Sequence, residues 1–125
     1  MPKPRKRKDQ EMKKTIKTEY FDNGQKREEG SYKNGKKDGL WNTWRKNGQR
    51  KVDVNYKDGK RDGFFTEYYD NGQKFYEGNY RDGKMDGAWS HWHKSGQKEE
   101  ANYKDGVKGR VNSYQCGGVK VYHSG

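Results

Sequence analysis

Residues 38–49 read DGLWNTWRKNGQ, and residues 86–97 read DGAWSHWHKSGQ. Each stretch sets two tryptophans three residues apart between glycine-bearing turn signals. The pattern stands out because the 125-residue chain has one Leu and one Ile, with 26% hydrophobic and 38% charged residues. Composition of that kind leans toward disorder. Ten Tyr, four Trp and four Phe lean the other way, since each ring can bury roughly 150–250 Å².

Working outward, the NGQ-like triplets place Gly24, Gly48, Gly72 and Gly96 at an interval of 24 residues, the mark of an internal repeat. Four residues before each stands an aromatic, Tyr20, Trp44, Tyr68 or Trp92, with Tyr114 before Gly118 as a partial fifth copy. Eight residues after the first three glycines stand Tyr32, Tyr56 and Tyr80. The fourth copy has lost one residue, so Tyr103 follows Gly96 by seven.

Each of these tyrosines leads into a basic residue and an NG or DG dipeptide, as in YKNGKKDG, YKDGKRDG, YRDGKMDG and YKDGVKG. Such dipeptides take the positive φ that tight hairpin turns require. Two turns per 24 residues leave room for two short strands, and no window keeps an apolar 3.6-residue period. The expected fold is all-β: a repetitive antiparallel hairpin meander, or solenoid sheet, of about 4.5 repeats, in which each unit covers the rings of the next. Trp41 and Trp44, an odd number apart, point to opposite faces of a regular strand. Either both faces carry rings, or a bulge brings the two to one side.

The stretches EEGSYKNGKKDGLW at 28–41 and YEGNYRDGKMDGAW at 76–89 resemble the MORN repeat. The 24-residue spacing and the NGQ triplets are similar to its bacterial variant, found in proteins labelled YwqK-family antitoxins, over about residues 16–125. The resemblance implies a scaffold or binding module; some MORN proteins are linked to membrane phospholipids, and the antitoxin label implies a protein partner, a toxin. VDVNY at 52–56 lacks the glycine found at Gly30 and Gly78. The fourth copy lacks the Asp of Asp38, Asp62 and Asp86 and carries Arg110 and Val111 in place of its aromatic pair. These drifts suggest a worn C-terminal cap.

Formal net charge is +11, concentrated in a basic tail, residues 1–14, ahead of a repeat domain at 15–125. With a single cysteine, Cys116, no disulfide forms within the chain. The basic start is followed by no apolar run, so a cytoplasmic protein is expected, with a membrane-peripheral or nuclear place open in a eukaryote.

No P-loop, GxSxG or HExxH motif occurs, and the carboxylates recur with the turns, so no enzyme and no cofactor are expected. His91 and His93 alternate along one strand, but no Cys or third His lies near them in sequence; Cys116 with His123 is too weak a signal, and no metal is expected. The expected function is binding to another protein, with Trp41, Trp44, Phe65, Tyr68, Trp89 and Trp92 as candidate contacts. The alternative is an anionic lipid surface or nucleic acid, met by Arg5, Lys6, Arg7 and Lys8 of the tail and by a stripe of Lys33, Lys36, Lys57, Lys60, Arg81 and Lys84. Open sheet edges also leave room for a homodimer by edge pairing.

Overall fold

A computed structural model describes residues 14–114 and 120–122. Every element among the described residues is a strand: β1 Lys14–Tyr20, β2 Lys26–Lys33, β3 Lys36–Trp44, β4 Arg50–Lys57, β5 Lys60–Tyr68, β6 Lys74–Arg81, β7 Lys84–Trp92, β8 Lys98–Lys104, β9 Val107–Tyr114 and β10 Lys120–Tyr122. They form one antiparallel sheet in sequence order, the hairpin meander that the repeats predict. Of the basic segment 1–14, only Lys14 is described, where it opens β1. Arg5, Lys6, Arg7 and Lys8, together with Cys116, Gly118 and His123, lie outside the described residues.

Two kinds of connection alternate. The first NG or DG dipeptide of each repeat closes a two-residue turn with positive φ at both positions, 52° at Asn34 and 78° at Gly35, the type I′ geometry whose twist matches the flanking strands; the second DG lies inside the following strand. The NGQ triplets close the loops at the other end. In the first loop, Phe21 N–H donates to Gln25 O at 2.8 Å and Gly24 N–H donates back to Phe21 O at 3.0 Å. The Asn23 side-chain oxygen accepts Gln25 N–H at 3.0 Å, and Asn47 and Asn71 repeat the bond to Gln49 and Gln73. Asparagine is suited to that position because its short side chain mimics a backbone turn. Successive loops are tied together: Asn23 Nδ2 donates to Lys46 O at 2.9 Å, Arg45 Nη2 to Tyr68 O at 2.9 Å, and the Tyr69 hydroxyl to Trp92 O at 2.6 Å.

Just after the first three of these loops, one residue of the returning strand bulges out of the ladder. Glu19 faces Glu28 while Tyr20 faces Lys26, so Arg27 is extra. Lys51 is extra between Arg50 and Val52, and Phe75 between Lys74 and Tyr76. Between β7 and β8 the register runs unbroken, with His91 opposite Glu99 and Trp92 opposite Lys98. The residue missing from the fourth copy is therefore the bulge residue, and its loss leaves the strand faces in phase.

The bulges order the polar face of the sheet. They bring Lys26 and Glu29 (3.1 Å), Arg50 and Asp53 (3.0 Å), and Lys74 and Glu77 (2.7 Å) to one side at a spacing of three. Without the bulge, Lys98 pairs with Glu100 at a spacing of two, at 3.1 Å. Trp44 lies on this side, 5.7 Å from Lys26 Nζ, and Trp92 lies under Lys74 and Lys98. Both faces carry rings: the bulge after the loop sits one strand later, at Lys51, and the irregularity of β3 opposite Gly30 ends at Trp41, so neither brings Trp41 and Trp44 together. Asp53 is the buried member of the ladder; it accepts from Asn42, from Arg50 at 3.0 Å and from the Tyr68 hydroxyl at 3.1 Å. Burial first, and then the Asp53 charge, pushes the Tyr68 phenol above its usual range.

The other face holds the core. Trp41, Val54, Phe65 and Trp89 are buried, with Tyr32, Tyr56, Tyr80 and Tyr103 packed around them. Trp41 meets Tyr32 edge-on at 5.1 Å and Tyr56 at 6.4 Å; Phe65 meets Tyr80 at 5.5 Å, and Trp89 meets Tyr80 at 5.0 Å. Edge-to-face contacts set the positive ring edge against a negative face and add to plain burial. One sheet can bury an indole because the neighbouring strand leaves room for it. A Cβ built on Gly30 would stand 2.0 Å from Trp41 Cδ2, and one on Gly78 would stand 2.2 Å from Trp89 Cδ2. Each indole N–H then donates to a backbone carbonyl beside that glycine, Ser31 O at 3.0 Å and Asn79 O at 2.9 Å. Where the glycine is replaced by Val54, the opposing ring is the smaller Phe65; where it is Ala101, the partner is Val111.

Candidate functional site

The aromatic face is not closed over by a second layer of described residues. Across β2 to β5 it opens into a groove of about 440 Å³. Trp41, Val52, Val54 and Tyr56 line it, and Arg27, Lys37, Lys51 and Arg61 surround it with four cations against one carboxylate, Glu28. Phe21 and Trp44 border it as well, the latter from the end of β3.

Strand alternation places these groups. Lys37, Trp41 and Thr43 share one face of β3 because they differ by even numbers, and Tyr56 lies opposite Arg61 across the β4–β5 pair. Lys37 Nζ sits 4.4 Å from the Trp41 ring centroid and 5.1 Å from that of Tyr56, with Glu28 3.8 Å away. The Arg61 guanidinium lies 5.3 Å from both Phe65 and Tyr80, and its Nη1–H donates to the Tyr80 hydroxyl at 3.2 Å. Burial works against the Arg61 charge, but hydrogen bonds to the Tyr56 and Tyr80 hydroxyls outweigh it and hold its pKa above the ordinary value. Both cations lie along ring faces, where the quadrupole attracts them by about 0.5–1 kcal/mol at exposed sites. Their stems shield the core while their charged heads stay available. Arg27 is paired with Glu19. The result is an apolar floor ringed by positive charge, suited to a ligand with apolar and anionic groups close together.

The candidate contacts divide between the two faces. Trp41, Phe65 and Trp89 are 1%, 6% and 3% exposed, and the hairpin stack uses these rings for its own cohesion. Trp44, Tyr68 and Trp92 are half-buried on the polar face. The anion stripe forms a row along the turn edge. Lys33 faces Lys36, Lys57 faces Lys60 and Arg81 faces Lys84 across the two-residue turns. None of the six forms an ion pair with a described carboxylate.

Lys37 and Arg61 were not among the sequence-predicted residues, yet each lies over two rings of the core face. Their signal was available: each stands four residues before a core ring, Trp41 or Phe65, on the same strand face. A further group, His91, His93 and Glu99, has its ligand-type atoms all within 4.8 Å of one another. Burial, and then the His93 charge, lowers the pKa of His91; the hydrogen bond from His93 lowers that of Glu99.

Comparison with known proteins agrees with this architecture. No curated protein matches the chain. The family model of the MORN repeat variant matches residues 16–34, 37–58, 61–82 and 85–105, four successive copies that each run from one strand through a loop to the next turn. Those copies cover more than half of the sequence, and the chain belongs to the MORN repeat variant family, whose repeats generally serve as binding or scaffold modules.

Proposed function

We propose that the chain is a non-catalytic binding module that docks another protein through an acidic segment bearing apolar side chains, laid in the groove across β2 to β5. The observation that carries this reading is the ring of Arg27, Lys37, Lys51 and Arg61 around Trp41, Val54 and Tyr56. An apolar floor supplies affinity that salt does not screen, and the cations supply orientation and encounter rate. The resemblance to antitoxin-type proteins makes a toxin one such partner.

The test is capture from a host lysate on immobilised wild type and on a K51E/R61E variant, at low and at high salt. Both residues are exposed, and because Arg61 also packs on Phe65 and Tyr80, K51E alone, which touches neither ring, is run beside the double variant and should show part of the same loss. A protein retained by wild type at both salts and lost by the variant is expected. If nuclease treatment or lipid extraction removed every retained species, the reading would fail.

A second reading has its own observation. The pairs Lys33–Lys36, Lys57–Lys60 and Arg81–Lys84 put like charges directly opposite one another, an arrangement that destabilises a sheet unless an anion shares it. A phosphate-bearing surface along the turn edge, lipid or nucleic acid, would relieve the repulsion. In that case log K for binding falls steeply and linearly with log salt, as counterion release requires.

A further inference from the structure

We propose that His91, His93 and Glu99 form a binding site for a divalent transition-metal ion of the zinc class, at the junction of β7 and β8. His91 lies in β7 and His93 just past its end, where it opens the loop, and a carboxylate stands on the next strand directly opposite His91. The ligating atoms of all three lie within 4.8 Å of one another. Two imidazoles and one carboxylate, with a fourth position open, make a donor set that suits zinc, and metal–ligand bonds of about 2.0–2.1 Å require tetrahedral edges of roughly 3.3 Å. His93 Nε2–H now donates to Glu99 Oε1 at 2.7 Å. Small rotations that part this pair and draw in His91 would let an ion take the place of that proton, with His93 shifting its own proton to Nδ1.

The surroundings favour a fixed geometry. The His91 ring stacks on Tyr76 at 4.4 Å with an interplanar angle of 15° and meets Phe75 at 5.1 Å. Its centroid is 4.4 Å from that of His93. All three residues are half-buried, so their burial offers shelter without closing the open position. The donor set exists only in this copy, since the corresponding residues are Thr43, Arg45 and Val52 in one repeat and Glu67, Tyr69 and Tyr76 in the next. One group opposes the ion: Lys108, on β9, borders the same small cavity as His91 and Glu99.

The probe is zinc itself, titrated into untagged full-length protein that carries C116S and H123N, so that His91 and His93 are the last two histidines. Competition against a chromophoric chelator should give one equivalent bound at micromolar or tighter affinity, and the side-chain resonances of both histidines should move. E99Q, which keeps the shape of the site, should weaken binding by on the order of tenfold or more. H93N should abolish it, and K108Q should tighten it by removing the opposing charge. Affinity unchanged in E99Q and H93N, no tightening in K108Q, or no binding below about 100 μM (about −5.5 kcal/mol), would overturn the assignment.

Discussion

Gly30 and Trp41 show how one position decides another across a strand pair. The indole occupies the space where a Cβ on residue 30 would stand, 2.0 Å from the ring, and a rigid ring that is itself buried cannot yield as the end of a flexible side chain can. In the next repeat the same two positions hold Val54 and Phe65. The summed volume across the pair is thus kept while its division changes. G30V alone should destabilise by about 3 kcal/mol or more through overpacking. W41F alone should lose about 1–3 kcal/mol, since the smaller ring leaves space and Ser31 O loses its donor. G30V/W41F rebuilds the pairing of the second repeat, so its loss should fall short of the sum of the singles by at least about 1 kcal/mol. Urea unfolding of the four proteins closes the cycle. Additive losses would mean that the ring and the glycine are matched by accident.

At the scale of the strand, the bulge is the device that the repeat uses and can also do without. Lys51 is the extra residue of β4, and the fourth copy lacks its counterpart while its register with β7 stays intact. Deleting Lys51 should therefore cost only about 1 kcal/mol, turning the Arg50–Asp53 pair into the two-residue spacing of Lys98 and Glu100. Deleting Asn55 removes one residue just as well, but the turn at Asp58 and Gly59 holds the end of the strand. That shift carries Asp53 into the place of Val54, among the rings, and an unpaired carboxylate there should cost more than about 4 kcal/mol. Thermal melts of the two deletions should separate by many degrees; equal melting points would show that register is not pinned by the turn. The repeats, turns and meander were legible in the sequence because they rest on backbone rules that Gly, Asn and Asp obey locally. The face of Trp44 was not, because parity alone leaves a bulge open. Glu99 was missed as a neighbour of His91 and His93 for a related reason: which residue crosses to which depends on whether the bulge is present, and a spacing of seven against eight becomes a register only once the ladder is drawn.

For the whole molecule, cohesion passes only between neighbouring strands, since the sheet order is the sequence order. Stability in such an array is a sum of local terms and interfaces, so it need not be uniform. The buried cluster of Trp41, Val54, Phe65 and Trp89 spans β3 to β7. At the outer edge, β1 offers Ile16, 76% exposed, and its exposed Lys17 and Lys14 make only surface ion pairs, with the half-buried Glu19 at 3.3 Å and Asp38 at 3.6 Å. Pairs of that kind contribute about 0–1 kcal/mol. Native-state hydrogen exchange should then show a gradient: β1 amides opening first, by local fraying, and the amides of Val54 and Phe65 exchanging only through global unfolding. Adding low urea should leave β1 exchange nearly unchanged while accelerating the centre, because little surface is exposed when an edge strand lifts. The same edge is where a second copy would add by pairing, so β1 protection that rises with protein concentration would mark a dimer. Uniform protection from β1 to β7 at every concentration would instead mean that the sheet opens as one cooperative unit, and that the rings of its centre hold its edge as firmly as themselves.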